Sequence, residues 1–300
     1  MMHPLVSAVV ELVQAAGRAT LPYWRADVAV QTKADDSPVT AADLAAHHVL
    51  AAGLVALDAT IPVLSEEDCD IPLSEREQWT RWWLVDPLDG TKEFISGSPE
   101  YTVNVALIER GRVVFGVVGV PVTDTVFYGG AQWGALSQVA QDAPCALAVR
   151  DAPSNALVVV ASKRHSSPEQ DALLQVLARD FTALELVSVG SSLKFCQLAQ
   201  GLADVYPRLA PTSQWDTAAA QGVLEGAGGQ VINLQGESLT YTAQASYLNP
   251  SFVALPKDAN WRPRFLEHLS VEQCASFSVV DLTLMSHSRV RQSPAHSIFI

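Results

Sequence analysis

The chain has 300 residues, 49% of them hydrophobic and 17% charged, enough apolar sequence to bury a large core and too little charge for wholesale disorder. Its formal net charge of −13, with an isoelectric point near 4.9, repels nucleic acid and anionic lipid over most of the surface. It leaves room for an anionic small molecule, which would need local compensation from cations. The four cysteines, Cys69, Cys145, Cys196 and Cys274, lie far apart with no Cys-x-x-Cys pair, which argues against a zinc cluster or disulfide framework and for a reducing cytoplasm.

The opening stretch, MMHPLVSAVVELVQ, has no basic n-region or small-residue cleavage site, and Glu11 interrupts its apolar run. It reads as a helix and not as a signal peptide. Leu5, Val9, Leu12, Val13 and Ala16 share one face and predict an amphipathic helix within residues 4–24. Thr40 opens a second helix, TAADLAAHHVLAAGLVAL, with Asp43 three residues on in a capping-box pattern. IPVLSEED and RWWLVDP are short strands that each run into acids. YTVNVALIER, RVVFGVVGVPV and DTVFYGG are β-rich runs, the first two joined as a hairpin by the turn at Gly111. The longest uncharged apolar run, VVFGVVGVPVT, is too short and too rich in glycine and proline to span a bilayer, which predicts a soluble protein.

Composition turns polar over Asp142–Ser154, with Pro144 and Pro153, and a domain boundary is expected there. Beyond it strands and helices alternate: ALVVVAS, a helix over Pro168–Arg179, ALELVSVG, a helix over Leu193–Gln200, ADVYPRL, a helix over Asp216–Ala227, then GQVIN and FVAL. The first half reads as α+β and the second as α/β, with residues 1–148 and 149–256 as the two domains. From Lys257 a short helix around RFLEHL leads into a polar tail, residues 257–300.

Carboxylates fall at the ends of these elements: Glu66 and Glu67 after one strand, Asp86 and Asp89 after the next, and Asp216 at a helix start. Strand ends and helix starts are where α/β proteins build sites, because the backbone is rigid and the tips face a crevice. Acids gathered there repel one another and need cations, and oxygen-only donors select a hard ion such as Mg²⁺. In Asp86-Pro-Leu-Asp-Gly-Thr91, Pro87 turns the chain, so both acids and the Leu88 carbonyl can face one side. Gly90 tolerates the conformation of a ligand loop, and Thr91 adds a hydroxyl. Each part also has a plain structural reading: Asp43 and Asp216 as helix caps, the Asp-Gly step as a turn, Glu67 and Asp68 as a solvated acidic turn. Gly190, Ser191 and Ser192 precede a helix and offer N–H groups and hydroxyls, a ready anion site. Lys194 in the first turn of that helix makes best sense beside an anion, and Arg208 is a second candidate anion contact.

DSPVTAAD, VLSEED, WWLVDPLDGTKEF, YTVNVALIERG, VGSSLKFCQLAQGLADVYPR and WDTAAAQGVLEGAGG together resemble the inositol monophosphatase superfamily of metal-dependent, lithium-sensitive phosphatases. The likeness runs in order from about residue 5 to residue 255 and leaves the tail outside. KADDSPVTAAD, DPLDGTKEF and GSSLKFC are most similar to the family's bacterial 3′(2′),5′-bisphosphate nucleotidase branch. The resemblance implies a layered αβαβα sandwich of the inositol monophosphatase and fructose-1,6-bisphosphatase type. It implies two Mg²⁺ ions, one on Glu66, Asp86 and the Leu88 carbonyl and one on Asp86, Asp89 and Asp216, with a third weakly held near Glu66 and Li⁺ as inhibitor. Thr91, paired with Asp43, would orient the attacking water, and Glu66 would share in catalysis. Leu88, Asp89, Gly90, Thr91 and Asp216 would border the scissile phosphate, while Gly190, Ser191, Ser192, Lys194 and Arg208 would hold the rest of the substrate.

The implied reaction is hydrolysis of the 3′-phosphate of adenosine 3′,5′-bisphosphate to AMP and phosphate, and of its sulfated precursor, in sulfur assimilation. It would run in a cytoplasmic monomer or homodimer, with peripheral attachment to the inner face of the membrane as a variant. Where inositol phosphatases carry an acid to hold the ring, this chain has Tyr206-Pro-Arg-Leu, which favours a substrate with extra negative charge. The rivals are a phosphatase for inositol phosphates or fructose 1,6-bisphosphate, and a non-catalytic Mg²⁺- or nucleotide-binding protein of the same fold.

Overall fold

The computed structural model describes residues 1–26, 30–32, 38–150, 156–161, 173–174, 181, 183–268 and 291–292. Helix α1, Val6–Thr20, buries Val9, Val13 and Ala16 of the predicted stripe and Val6 beside them, while Leu5 and Leu12 are half-buried. Strands β1, Gln31–Thr32, and β2, Pro38–Val39, form a two-stranded antiparallel pair ahead of helix α2, Ala41–Leu57. Thr40 caps α2 with the full capping box: its side chain accepts from the backbone inside the helix, and the Asp43 carboxylate returns to the Thr40 amide.

Strands β3 Val63–Ser65, β4 Arg81–Asp89, β5 Thr102–Glu109, β6 Arg112–Val120, β7 Thr125–Gly130, β8 Gly134–Val139 and β9 Cys145–Ala146 form one sheet in chain order. Only the β3–β4 pair is parallel; from β4 onward the sheet is an antiparallel meander, with the expected β5–β6 hairpin at Gly111. Short helices α3, Leu73–Arg76, and α4, Thr91–Ile95, flank β4. Because side chains alternate across a strand, Trp83, Val85, Val103, Val105 and Leu107 pack on α1 and α2, while Trp82, Leu84, Ala106 and Ile108 face the other way.

That second face is covered by helices α5, Leu193–Ala199, and α6, Trp215–Gly226. Strands β10 Ala156–Ala161 and β11 Ala183–Ser188 pair in parallel. Strands β12 Tyr206–Arg208, β13 Gly229–Asn233 and β14 Phe252–Pro256 form an antiparallel sheet in the order β12-β14-β13. A parallel bridge between Val159 and Val205 joins these two small sheets. Their outer face carries Leu157, Val159, Val253 and Leu255, on which Phe265 of α7, Arg262–His268, packs. The succession of cores is therefore helix, sheet, helix, sheet, helix, the αβαβα layering expected. A last strand, β15 at Arg291–Gln292, lies parallel to β11.

The depth of α6 matters for the site at its start. Gly116 of β6 lies so close to the helix that a Cβ there would stand 1.8 Å from the Ala219 carbonyl oxygen, and one on Gly222 would stand 2.5 Å from the Gly116 nitrogen. Two bare backbones in contact set the height at which α6 crosses the sheet. Gly116→Ala should force them apart and destabilise the protein by about 3 kcal/mol or more, measured as a loss of midpoint in urea unfolding.

Most predicted elements stand within a residue or two of the predicted limits. The sequence reading omitted α3, β8, β9 and the β1–β2 pair, all short or weakly patterned. The predicted helix over Pro168–Arg179, apart from 173–174, lies outside the described residues, as do 151–154 of the polar boundary stretch and most of the tail.

Candidate active site

The acids converge because of an irregularity in β4. In its pairing with β5, Asp86 stands opposite Asn104 and Asp89 opposite Thr102, so β4 spends one residue more than its partner between these pairs. In a regular strand, positions three apart point to opposite faces. The extra residue resets the alternation and turns both aspartates to the α5–α6 side, a bulge placed where Pro87 can donate no ladder hydrogen bond. Gly90 then takes φ +90°, a left-handed conformation that starts α4 and would strain any residue with a Cβ. On the neighbouring strand, the Glu66 amide donates to the Val85 carbonyl at 3.0 Å, which keeps its side chain at the same sheet edge.

Each of the three aspartates is aimed by a backbone N–H. Asp86 Oδ1 accepts from Leu88 at 3.0 Å, Asp89 Oδ2 from Ser192 at 2.5 Å, and Asp216 Oδ2 from Ser213 at 2.8 Å. Asp216 lies in the first turn of α6, past its N-cap residue Gln214, so it is not the helix cap that its position suggested. Burial raises the Asp86 carboxyl well above the usual range, and the charges of Glu66, Asp89 and Asp216 raise it further. Asp216 is pushed up by burial and then by Asp89. Asp89 is raised to about 6 by burial, with Lys194 pulling the other way. These acids feel one another strongly, as a group made to share counter-charge would.

Asp43 serves both of the readings given to it. Its Oδ2 accepts from the Thr40 amide at 2.8 Å and the Thr40 hydroxyl at 2.7 Å, while its Oδ1 accepts from the Thr91 hydroxyl at 3.3 Å. Thr91 Oγ1 also lies 3.4 Å from the Leu88 carbonyl. The helix cap thus fixes the acid that holds the threonine.

The loop before α5 differs from the expectation of an open anion site. The Gly190 amide donates to Glu100 Oε2 at 2.8 Å and the Ser192 amide to Asp89, so the protein's own carboxylates fill both. Ser191 sits at φ +46°, and its carbonyl accepts from Lys194 Nζ at 2.7 Å. Lys194 is buried, not a solvated surface lysine; burial lowers its pKa to about 8 and the Asp89 charge partly restores it. Arg208 donates from Nε to the Ala210 carbonyl and from Nη2 to the Pro211 carbonyl, both at 3.1 Å. A cleft bordered by Asp89, Gly90, Ser191, Lys194, Arg208 and Asp216 unites the two halves of the chain.

Sequence reasoning missed Glu100, whose partner amide is 90 residues away, and Lys92 and Glu93, which also border the cleft. It also missed Asn104, though an asparagine inside the apolar run YTVNVALIE was a visible signal. Among the described residues no three Asp, Glu, His or Cys side chains are drawn together closely enough to hold a metal ion. The donor chemistry nonetheless fits a hard divalent cation: the candidates are all oxygens, each aspartate keeps a second carboxylate oxygen beyond its backbone bond, and the acids raise one another's pKa in the way that calls for counter-charge.

The chain belongs to the inositol monophosphatase family, whose sequence model matches residues 1–269. It is 46% identical over 253 residues to the 3′(2′),5′-bisphosphate nucleotidase CysQ of Salmonella typhimurium, covering 83% of this chain and 98% of that protein. It is 36% identical over 260 residues to the CysQ of Aggregatibacter actinomycetemcomitans, covering 86% and 95%. Among solved structures, CysQ from Bacteroides thetaiotaomicron matches with a TM-score of 0.73 at 35% identity, over 84% of this chain and 96% of that one. An inositol monophosphatase from Thermotoga maritima, at 18% identity and a TM-score of 0.70 over 92% and 100%, shares the fold. Among the described residues no helix is long and apolar enough to cross a membrane.

Proposed function

We propose that the chain is a Mg²⁺-dependent 3′(2′),5′-bisphosphate nucleotidase, a phosphoric monoester hydrolase that removes the 3′-phosphate of adenosine 3′,5′-bisphosphate to leave AMP. The observation that carries this reading is a cleft lined by the acids Asp89 and Asp216 together with the cations Lys194 and Arg208. A substrate with two phosphates suits such a cleft: one end meets the acids through metal, the other meets fixed positive charge. The names carried by relatives up to 46% identical support the same substrate.

Glu66, Asp86, Asp89, Asp216 and the Leu88 carbonyl would hold two Mg²⁺ ions, and a third would be weakly held near Glu66. Bound there, the ions supply counter-charge for the transferred phosphoryl group and acidify the attacking water. The chain's own residues position. Asp43 takes the hydrogen bond of the Thr91 hydroxyl, leaving the threonine oxygen to accept from water and aim it in line. Gly90 and Thr91 bring backbone amides to the phosphate at the start of α4. Lys194 and Arg208 hold the 5′-phosphate, and Tyr206 lies beside them, its ring centroid 5.5 Å from Lys194 Nζ. Because phosphoryl transfer asks for positioning and charge, no protein nucleophile is required. The sulfated precursor would fit the same cations, in a reducing cytoplasm where Cys69, Cys145 and Cys196 stay free thiols.

A substrate panel tests this reading. With Mg²⁺ present, kcat/KM for adenosine 3′,5′-bisphosphate should exceed that for inositol 1-phosphate and fructose 1,6-bisphosphate by about 100-fold, the worth of a well-placed charged hydrogen bond or two. Equal or reversed preference refutes the nucleotide assignment.

A further inference from the structure

Beneath the acids lies a closed ring of three side chains with no counterpart in the reaction described above. Ser192 Oγ donates to Asn104 Oδ1 at 2.8 Å, Asn104 Nδ2 donates to Thr102 Oγ1 at 3.1 Å, and the Thr102 and Ser192 hydroxyl oxygens are 2.8 Å apart. Since Ser192 spends its one hydroxyl proton on Asn104, Thr102 must donate to Ser192, and every bond in the ring then runs the same way round. All three residues are at most 2% exposed. A cyclic, dry network of this kind is stiff, because each bond polarises the next and none can be exchanged for water.

Its location ties it to the site twice. Asn104 and Thr102 are the ladder partners of Asp86 and Asp89 across the β4 bulge. The third member, Ser192, donates its backbone amide to Asp89 Oδ2. Ser192 is 90 residues from Thr102 along the chain, so the ring also clamps the loop before α5 to the sheet edge.

We propose that Thr102, Asn104 and Ser192 act as a positioning unit for Asp89: by holding the Ser192 amide on one carboxylate oxygen, the ring fixes the direction in which the other oxygen meets a divalent cation. This rests on Asp89 being a metal ligand. Outer partners that orient a ligand typically change metal affinity 10- to 100-fold when removed, far beyond what a distant buried hydroxyl does.

The test is a Mg²⁺ titration of thermal stability on the whole protein, which reads metal binding without turnover. Thr102→Val, which keeps the side-chain shape, should raise the Mg²⁺ concentration for half-maximal stabilisation by about tenfold or more. Thr102→Ser, which keeps the hydroxyl, should restore it. Thr20→Val is the control: it removes a fully buried hydroxyl bonded to Tyr101 at 2.8 Å and should lower stability while leaving the Mg²⁺ midpoint at the wild-type value. If Thr102→Val only loses stability, as the control does, the ring is structural and the proposal is overturned. Should Thr102→Val fail to fold, Ser192→Ala breaks the ring but keeps the amide, and a wild-type midpoint there overturns it equally. A wild-type protein without any Mg²⁺ response overturns the metal reading itself and the proposal with it.

Discussion

Asp89→Asn should cut Mg²⁺-dependent phosphate release by about 10³-fold or more and leave the fold intact. The size follows from the role: losing one carboxylate from a two-metal clamp forfeits several kcal/mol of charge stabilisation, and each 1.36 kcal/mol is tenfold in rate. The intact fold follows from the geometry. Asparagine keeps an oxygen for the Ser192 amide, the hydrogen bond that Asp89 Oδ2 accepts among the described residues. Removing one of four mutually repelling acids also offsets the loss of the negative partner of Lys194. The check pairs steady-state phosphate release with a melting curve. Full activity with an unchanged fold would sink the two-metal assignment.

Lys194→Met should raise KM for adenosine 3′,5′-bisphosphate by about 10- to 100-fold, matching a charge-assisted hydrogen bond of about 1.5–3 kcal/mol. Its KM for a nucleoside 3′-monophosphate should change little. Methionine is the apt replacement because Lys194 is buried, with its ammonium on the Ser191 carbonyl at 2.7 Å; alanine would open a cavity as well and confound the reading. A pure binding role predicts the effect in KM with kcat retained. Equal effects on the two substrates would refute contact with the 5′-phosphate and leave Lys194 as a counter-charge to Asp89.

The parts of this site that were legible in the sequence are those written locally. Two acids and a proline at the end of an apolar strand, a capping box at Thr40 and Asp43, and an acid at a helix start are each patterns that span only a few residues, and their elements formed as patterned. Local spacing could not show that Asp86 and Asp89 face one side, because that depends on how β4 registers against β5. Nor could it show that the Gly190 and Ser192 amides are occupied, since Glu100 and Asp89 reach them from the other half of the chain. The same distance hid the Thr102, Asn104 and Ser192 ring: Asn104 stood out in an apolar strand, but its serine partner is 88 residues away. The weakly patterned β8, GALSQV, was missed because neither period 2 nor period 3.6 rises above its mixed composition.

The most direct measurement is the identity of the product when adenosine 3′,5′-bisphosphate is incubated with the protein over a range of Mg²⁺. The account predicts adenosine 5′-monophosphate and one equivalent of phosphate, formed only when Mg²⁺ is present. Adenosine 3′-monophosphate as product, or phosphate release that persists in a chelator, would contradict it.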